Sequence, residues 1–117
     1  MQLRSDFNIG AVSPTQWNTL SGSEFPFSEH AFLAALEESS CVGEESGWQP
    51  CHLTLWDNQK LQGGLCLYEK NNSYGEYIFD WGWAKAYERH GLNYYPKLVS
   101  AIPFTPATGH KLLVHPD

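Results

Sequence analysis

The stretch YIFDWGWAKAYERHGLNYYPKLVSAIPFTP, residues 77–106, decides how this chain is read. It opens on three apolar residues suited to a strand and reaches Asp80, whose short carboxylate suits a helix N-cap. Gly91 is suited to the left-handed residue that ends a helix. Between these two, Trp83 and Tyr87 lie four residues apart, as do Lys85 and Arg89, so each pair shares a helix face. The spacing predicts a helix from Asp80 to about His90, with Trp83 and Tyr87 on its buried face. Residues 94–104 then predict a strand, apolar on both sides from Leu98 to Ile102 as a buried strand would be. Pro96 and Pro103 carry no N–H, so this strand cannot pair without interruption on both edges.

Upstream, KNNSYG at residues 70–75 is a turn cluster that leads into a strand from Glu76 to Phe79. Before it, residues 51–56 and 61–68 are apolar-rich runs separated by Asp-Asn-Gln-Lys, which predicts an antiparallel hairpin. Placing Leu53 and Leu55 on one face with Leu61, Leu65 and Leu67 requires an odd-length turn, because cross-strand partners share a face. In that register Cys51 joins the leucines, while Cys66 lies on the opposite face with His52, which disfavours a Cys51–Cys66 disulfide; the other parity stays open. Gly63 and Gly64 within the second strand predict a bulge or a close backbone approach.

The first third of the chain has helical spacing. Ser13, Pro14 and Gln16 have the capping-box form for a helix through about Leu20, ended by Gly22. A second helix is expected from Ser28 towards Gly43, with Phe27 and Phe32 as a hydrophobic staple. Gly-Glu-Glu-Ser-Gly at 43–47 reads as an exposed connection.

Of 117 residues, 42% are apolar and 15% aromatic, enough for one domain with a real core. A net charge of -6, with only 7 Lys and Arg, argues against a broad phosphate-binding surface, so no direct nucleic-acid binding is expected. No segment approaches the roughly 20 apolar residues of a membrane span, and the N-terminus lacks a signal-peptide pattern, so a soluble, cytoplasmic protein is expected. Three cysteines without CxxC spacing fit reduced thiols, and their spacing with the five histidines predicts no metal site.

The candidate chemistry concentrates near Asp80, which reads either as a helix cap or as the general base for an amine acceptor. Glu76 reads as a solvated edge residue. Trp81 and Tyr94 either pack or line an acceptor groove, and Lys97 either meets an anionic ligand or snorkels from a strand edge. Phe104 and Thr105, between two prolines, mark either a plain turn or an opening where an acyl donor or peptide inserts. His52 and Cys51 are adjacent on a strand and point to opposite faces, which places them poorly as a nucleophile and base.

FDWGWAKAYERHGLNYYPKL followed by AIPFTPATGHKLL resembles the signature of the FemAB-like, GNAT-related proteins described as peptidoglycan-biosynthesis or predicted N-acyltransferases. WQPCHLTLWDNQKLQGGLCLYEK is similar to the hairpin preceding it, and the resemblance covers about residues 13–114. It implies an α+β, GNAT-like fold: a mainly antiparallel sheet of about four strands, two N-terminal helices, and one helix between the third and fourth strands. Residues 1–117 would be a single domain, the N-terminal part of a longer tandem-fold protein. The implied activity is acyl or aminoacyl transfer to a small-molecule or peptide amine. Asp80 would be catalytic, and Trp81, Tyr94, Lys97, Phe104 and Thr105 would bind substrate. Acyl-CoA or aminoacyl-tRNA is the donor expected for the full-length protein. No cofactor is expected in this segment, because residues 105–111 hold one glycine and Pro106 supplies no N–H for a phosphate-binding loop. The segment alone is then expected to be inactive, and an exposed strand edge predicts a homodimer. The alternative is a noncatalytic binding or scaffold module.

Overall fold

The computed structural model describes residues 1–22, 24–76, 80–105 and 109–116. Among these, three α-helices and seven strands form an α+β fold with two antiparallel sheets. The strands are β1 (Gln2–Asp6), β2 (Gln49–Pro50), β3 (His52–Asp57), β4 (Lys60–Leu65), β5 (Tyr68–Lys70), β6 (Lys97–Val99) and β7 (Leu112–Val114). The helices are α1 (Pro14–Ser21), α2 (His30–Glu38) and α3 (Trp81–Arg89). The first sheet has the order β1-β3-β4-β7 and the second β2-β5-β6.

α1 begins where its cap requires: Gln16 N–H donates to Ser13 Oγ at 3.4 Å, and Gly22 closes the helix with a φ of 71°. The Gln16 side chain does not return to the cap. It donates to Gln59 O at 3.2 Å and accepts Leu61 N–H at 2.7 Å, fastening α1 to the β3–β4 turn. α2 starts at His30 rather than Ser28, because residues 26–28 form a separate 3-10 turn in which Ser28 Oγ donates to Phe25 O. It stops at Glu38, before the expected Gly43. The staple is present, with the Phe27 and Phe32 rings 5.3 Å apart.

The β3–β4 hairpin turns at Asn58, in the left-handed region with φ 56°. Its register pairs Leu53 with Leu65 and Leu55 with Gly63, then slips so that Trp56 faces Leu61. This bulge divides the leucine stripe expected on one face. Leu61 is carried into the core, whereas Leu53, Leu55 and Leu65 join Leu3, Leu112 and Val114 in lining an apolar groove of about 270 Å³. Gly64 also marks a close approach: a Cβ there would lie 2.9 Å from Trp17 Cζ3.

The core gathers Trp17 and Leu20 from α1 and Leu33 from α2 against Ile9, Trp56, Leu61 and Leu113. Trp17 is fully buried and its Nε1–H donates to Ser28 O at 2.9 Å. A second cluster of Val42, Trp48 and Tyr68 lies beside the smaller sheet, and Cys66 packs against both clusters.

Three expectations need correction, and two strands were not foreseen. Residues 61–68 are not one strand: β4 ends at Leu65, and β5 joins the other sheet. The strand expected over 94–104 is limited to β6, which occupies a sheet edge, leaving Leu98 65% exposed. Trp83 and Tyr87 are not core, being 68% and 40% exposed on a helix with no buried residue. β1 and β7 were not anticipated at all, although they flank the β3–β4 hairpin. The third strand expected at Glu76–Phe79 falls on residues 77–79, outside the described residues; Glu76 itself lies in a bend. No helix among the described residues is long and apolar enough to cross a membrane.

Candidate functional site

The second sheet and the segments that flank it bring two lysines and two carboxylates together. Lys70 ends β5, Lys97 begins β6, Glu76 lies in the connection after β5, and Asp80 stands immediately before α3. Lys97 Nζ donates to Asp80 Oδ2 at 2.5 Å, to Glu76 Oε1 at 2.8 Å and to Ser73 Oγ at 2.9 Å. Those three bonds use all three protons of the ammonium. Lys70 Nζ donates to Glu76 Oε2 at 2.6 Å and to Tyr74 O, and sits 4.1 Å from the Trp48 ring centroid. Glu76 therefore bridges two ammoniums, and the four formal charges sum to zero.

The Lys70 side chain is fully buried and the other three charged side chains are nearly so. At such depth an unpaired charge costs several kcal/mol, so the pairing is a condition for this packing. Two tyrosines complete the cluster. Tyr94 donates to Asp80 Oδ2 at 2.6 Å, and Tyr95 OH lies 2.6 Å from Ser73 Oγ. Asp80 occupies the N-cap position, yet its side chain makes no capping bond to α3. Burial by itself raises the Asp80 carboxyl, but hydrogen bonds from Lys97, Ser73 and Tyr94 outweigh it and hold the group well below the usual carboxylate range. The bond to Asp80, followed by burial, pushes the Tyr94 phenol up to about 12. For Lys97, burial opposes the charge and bonds to Asp80 and Glu76 overcome it, so its pKa is raised.

Among the described residues, two buried polar atoms have no hydrogen-bond partner, Asp80 Oδ1 and Trp48 Nε1. A buried carboxylate oxygen left without a donor can receive an N–H from a ligand. A cleft of about 310 Å³ lined by Ala84, Glu88, Leu92, Asn93, Tyr94 and Tyr95 lies on the α3 side of the two tyrosines.

The structure thus brings Asp80, Tyr94 and Lys97 into one bonded group. Phe104 lies beside it, its ring 5.6 Å from that of Trp48, its N–H bonded to Gly75 O, and its φ at 58°. Gly75 is required there, having φ 81° and no room for a Cβ against the Phe104 ring. Trp81 stands at the rim, 39% exposed and 5.4 Å from the Tyr74 ring. Thr105 does not join the cluster; its hydroxyl donates to Pro103 O at 3.1 Å. Glu76 is not a solvated edge residue but the bridge between Lys70 and Lys97. Lys70 and Ser73 were missed, and Tyr95, one of the aromatics that could line a groove by sequence, bonds Ser73. Lys97 carries a sequence signal, since it leads directly into the apolar Leu98-Val99 and a buried lysine needs a partner, whereas Lys70 at the end of Tyr-Glu-Lys carries none. Among the described residues no group of His, Cys, Asp and Glu is arranged to hold a metal ion.

A family model described as FemAB-like, peptidoglycan biosynthesis/recognition, matches residues 8–117. Comparison with curated proteins and with solved structures finds no match.

Proposed function

The chain belongs to the FemAB-like family of peptidoglycan biosynthesis or recognition, and from that premise we propose that it is part of an N-acyltransferase with a GNAT-like fold. It transfers an acyl or aminoacyl group to a primary amine, and the Asp80–Tyr94–Lys97 cluster receives the amine. The observation that supports this reading is the buried Asp80 Oδ1, an anionic oxygen with no donor beside an Oδ2 that accepts from both Lys97 and Tyr94.

An amine N–H donated to Oδ1 directs the nitrogen lone pair away from Asp80, towards a donor carbonyl. As the C–N bond forms the nitrogen becomes strongly acidic, and collapse of the adduct breaks the donor's C–S or C–O bond, releasing the CoA thiol or the tRNA hydroxyl. A carboxylate held at low pKa, a poor base for a free amine, can then take that proton. Lys97 and Tyr94 hold Oδ2 and fix the direction of Oδ1. Trp81, packed on Tyr74, and Phe104, packed on Trp48, would supply apolar surface for the substrate near the cluster, with Thr105 following Phe104 in the chain. The donor, acyl-CoA or aminoacyl-tRNA, belongs to the full-length protein, and this segment is not active alone. The mutual neutralisation of all four charges favours a second reading, a noncatalytic module that recognises peptidoglycan amines.

Titration of isotopically labelled protein with a lysine-containing muropeptide, followed by NMR, tests the site. Saturable shifts at Asp80, Tyr94 and Lys97 that are lost in Tyr94→Phe and Asp80→Asn are expected. Their absence in folded wild-type protein overturns the assignment. Turnover of the same peptide by the full-length protein with an acyl donor separates transfer from recognition.

A further inference from the structure

α3 and the segment that follows it form the cleft of about 310 Å³ lined by Ala84, Glu88, Leu92, Asn93, Tyr94 and Tyr95. The helix contributes Ala84 and Glu88, which are spaced one turn apart and share a face. Gly91, at φ 71°, and a bond from Leu92 N–H to Tyr87 O at 2.9 Å turn the chain back, so residues 92–95 supply the other wall. The rings of that wall hold each other in place: Tyr87 packs edge-on with Tyr94, and Tyr94 with Tyr95, each pair with centroids 5.1 Å apart.

Glu88 is the one charged residue in the lining, and Lys85 and Arg89 of the same helix stay out of it. Among the described residues no ion pair or hydrogen bond occupies the Glu88 carboxylate, and none occupies the Asn93 side chain. The tyrosine pair already stands beside a cation, since Lys97 Nζ lies 5.6 Å from the Tyr94 centroid and 5.8 Å from that of Tyr95. Asp80 and Glu76 neutralise that lysine, so Glu88 sets the charge of the cleft. We propose that the cleft binds an organic ammonium headgroup, with the Glu88 carboxylate as its counter-ion and Tyr94 and Tyr95 as its aromatic wall.

The lining selects this class over its competitors. An anion would meet no Lys or Arg there, in a protein of net charge -6. A calcium ion takes roughly 6–8 oxygen ligands, more than Glu88 and Asn93 supply. A neutral apolar ligand would strip water from Glu88 and Asn93 and give them no partner. An alkylated ammonium carries diffuse charge and little hydration, so it gains from the carboxylate and from the rings together. The volume is at the small end for ligand pockets, which suits a headgroup rather than a long chain. This site is distinct from the unpaired Asp80 Oδ1: Tyr94 touches both, but Glu88 has no part in the charged cluster.

The test titrates isotopically labelled protein with choline and, separately, with 3,3-dimethylbutan-1-ol, which has the same shape without the charge, against a sodium chloride series that corrects for ionic strength. Choline is expected to give saturable NMR shifts at Glu88, Asn93, Tyr94 and Tyr95 with a millimolar dissociation constant, and to bind at least about fivefold more tightly than the alcohol. Glu88→Gln, an exposed change that keeps size and polarity, is expected to weaken choline by at least about fivefold and to leave the alcohol unaffected. Circular dichroism establishes that the variant is folded. Glu88 plays no part in the muropeptide reading at Asp80, so the two are decided separately. Equal affinity for choline and the alcohol, the absence of saturable shifts, shifts centred outside the cleft, or undiminished choline binding by folded Glu88→Gln overturns the proposal.

Discussion

Asp80 Oδ2 and Lys97 Nζ lie 2.5 Å apart, and this pair ties the residue before α3 to the first residue of β6 across a separation of 17 positions. The helix it anchors has no buried residue, so α3 is held at its start by polar contacts and near its end by the packing of Tyr87 on Tyr94 at 5.1 Å. That differs from the usual amphipathic helix, whose position is set by an apolar stripe.

Replacing Asp80 by Asn preserves shape and an acceptor oxygen but removes the charge opposite Lys97. Glu76 remains bonded to Lys97, so the loss is smaller than for an isolated buried pair, about 1–3 kcal/mol of stability. The sign of the pH dependence follows from the depressed carboxyl. Its contribution is complete above the ordinary aspartate value near ~3.9 and is lost as pH falls towards the lower folded value. Urea midpoints should therefore fall between about pH 4 and 2 in the wild type, and less steeply in Asp80→Asn. Equal slopes in the two proteins would count against the ion pair.

At His52 the direction is opposite. Burial disfavours the imidazolium, but hydrogen bonds to Cys66 and Glu37 prevail and push the pKa up to about 9; the Leu67 N–H at Nδ1 works against that charge. A raised histidine contributes fully below the ordinary value near ~6.5, and its contribution is lost as pH rises through the folded value. Stability should decline between about pH 6.5 and 9, by up to about 3 kcal/mol, and the decline should shrink in Glu37→Gln. Urea midpoints over this range check it; a flat wild-type profile means that the amide at Nδ1 keeps the ring neutral.

Gly64→Ala tests the approach of β4 to α1. The added Cβ would meet Trp17 Cζ3 at 2.9 Å and Cη2 at 3.3 Å, and Trp17 is enclosed on all sides with its Nε1–H bonded to Ser28 O. The ring cannot yield without breaking that bond, so a loss of about 1–3 kcal/mol is expected in chemical denaturation. The neighbouring Gly63 meets only Leu113 O at 3.4 Å and a side-chain carbon, so Gly63→Ala should cost less.

Local signals were legible where one residue type answers to one backbone need. Ser13 and Gly22 bound α1, Gly91 adopts φ 71° after α3, and the β3–β4 hairpin is where alternation placed it. The opposite placement of Cys51 and Cys66 was also readable from parity in the register with an odd-length turn, which put Cys66 with His52, as the Leu53–Leu65 pairing does. Asp80, Tyr94 and Lys97 were readable as candidates, but not their union, because the bonds span 14 and 17 residues. β1 escaped notice because its exposed, polar sequence has no apolar alternation; pairing with β3 alone defines it.

Trp83 shows where composition misleads. Four-residue spacing with Tyr87 suggests a packed face, but no element covers that face among the described residues, and Trp83 is 68% exposed with a second tryptophan, Trp81, at the rim of the charged cluster. Burial, not aromatic character, sets the cost of truncation. Trp83→Ser should therefore change stability by no more than about 0.5 kcal/mol, whereas Trp17→Ser should cost about 3–5 kcal/mol by opening the core. Paired urea titrations compare them directly. A loss at Trp83 close to that at Trp17 would mean that α3 has a packed face in solution and that the polar anchor at Asp80 is not what holds it.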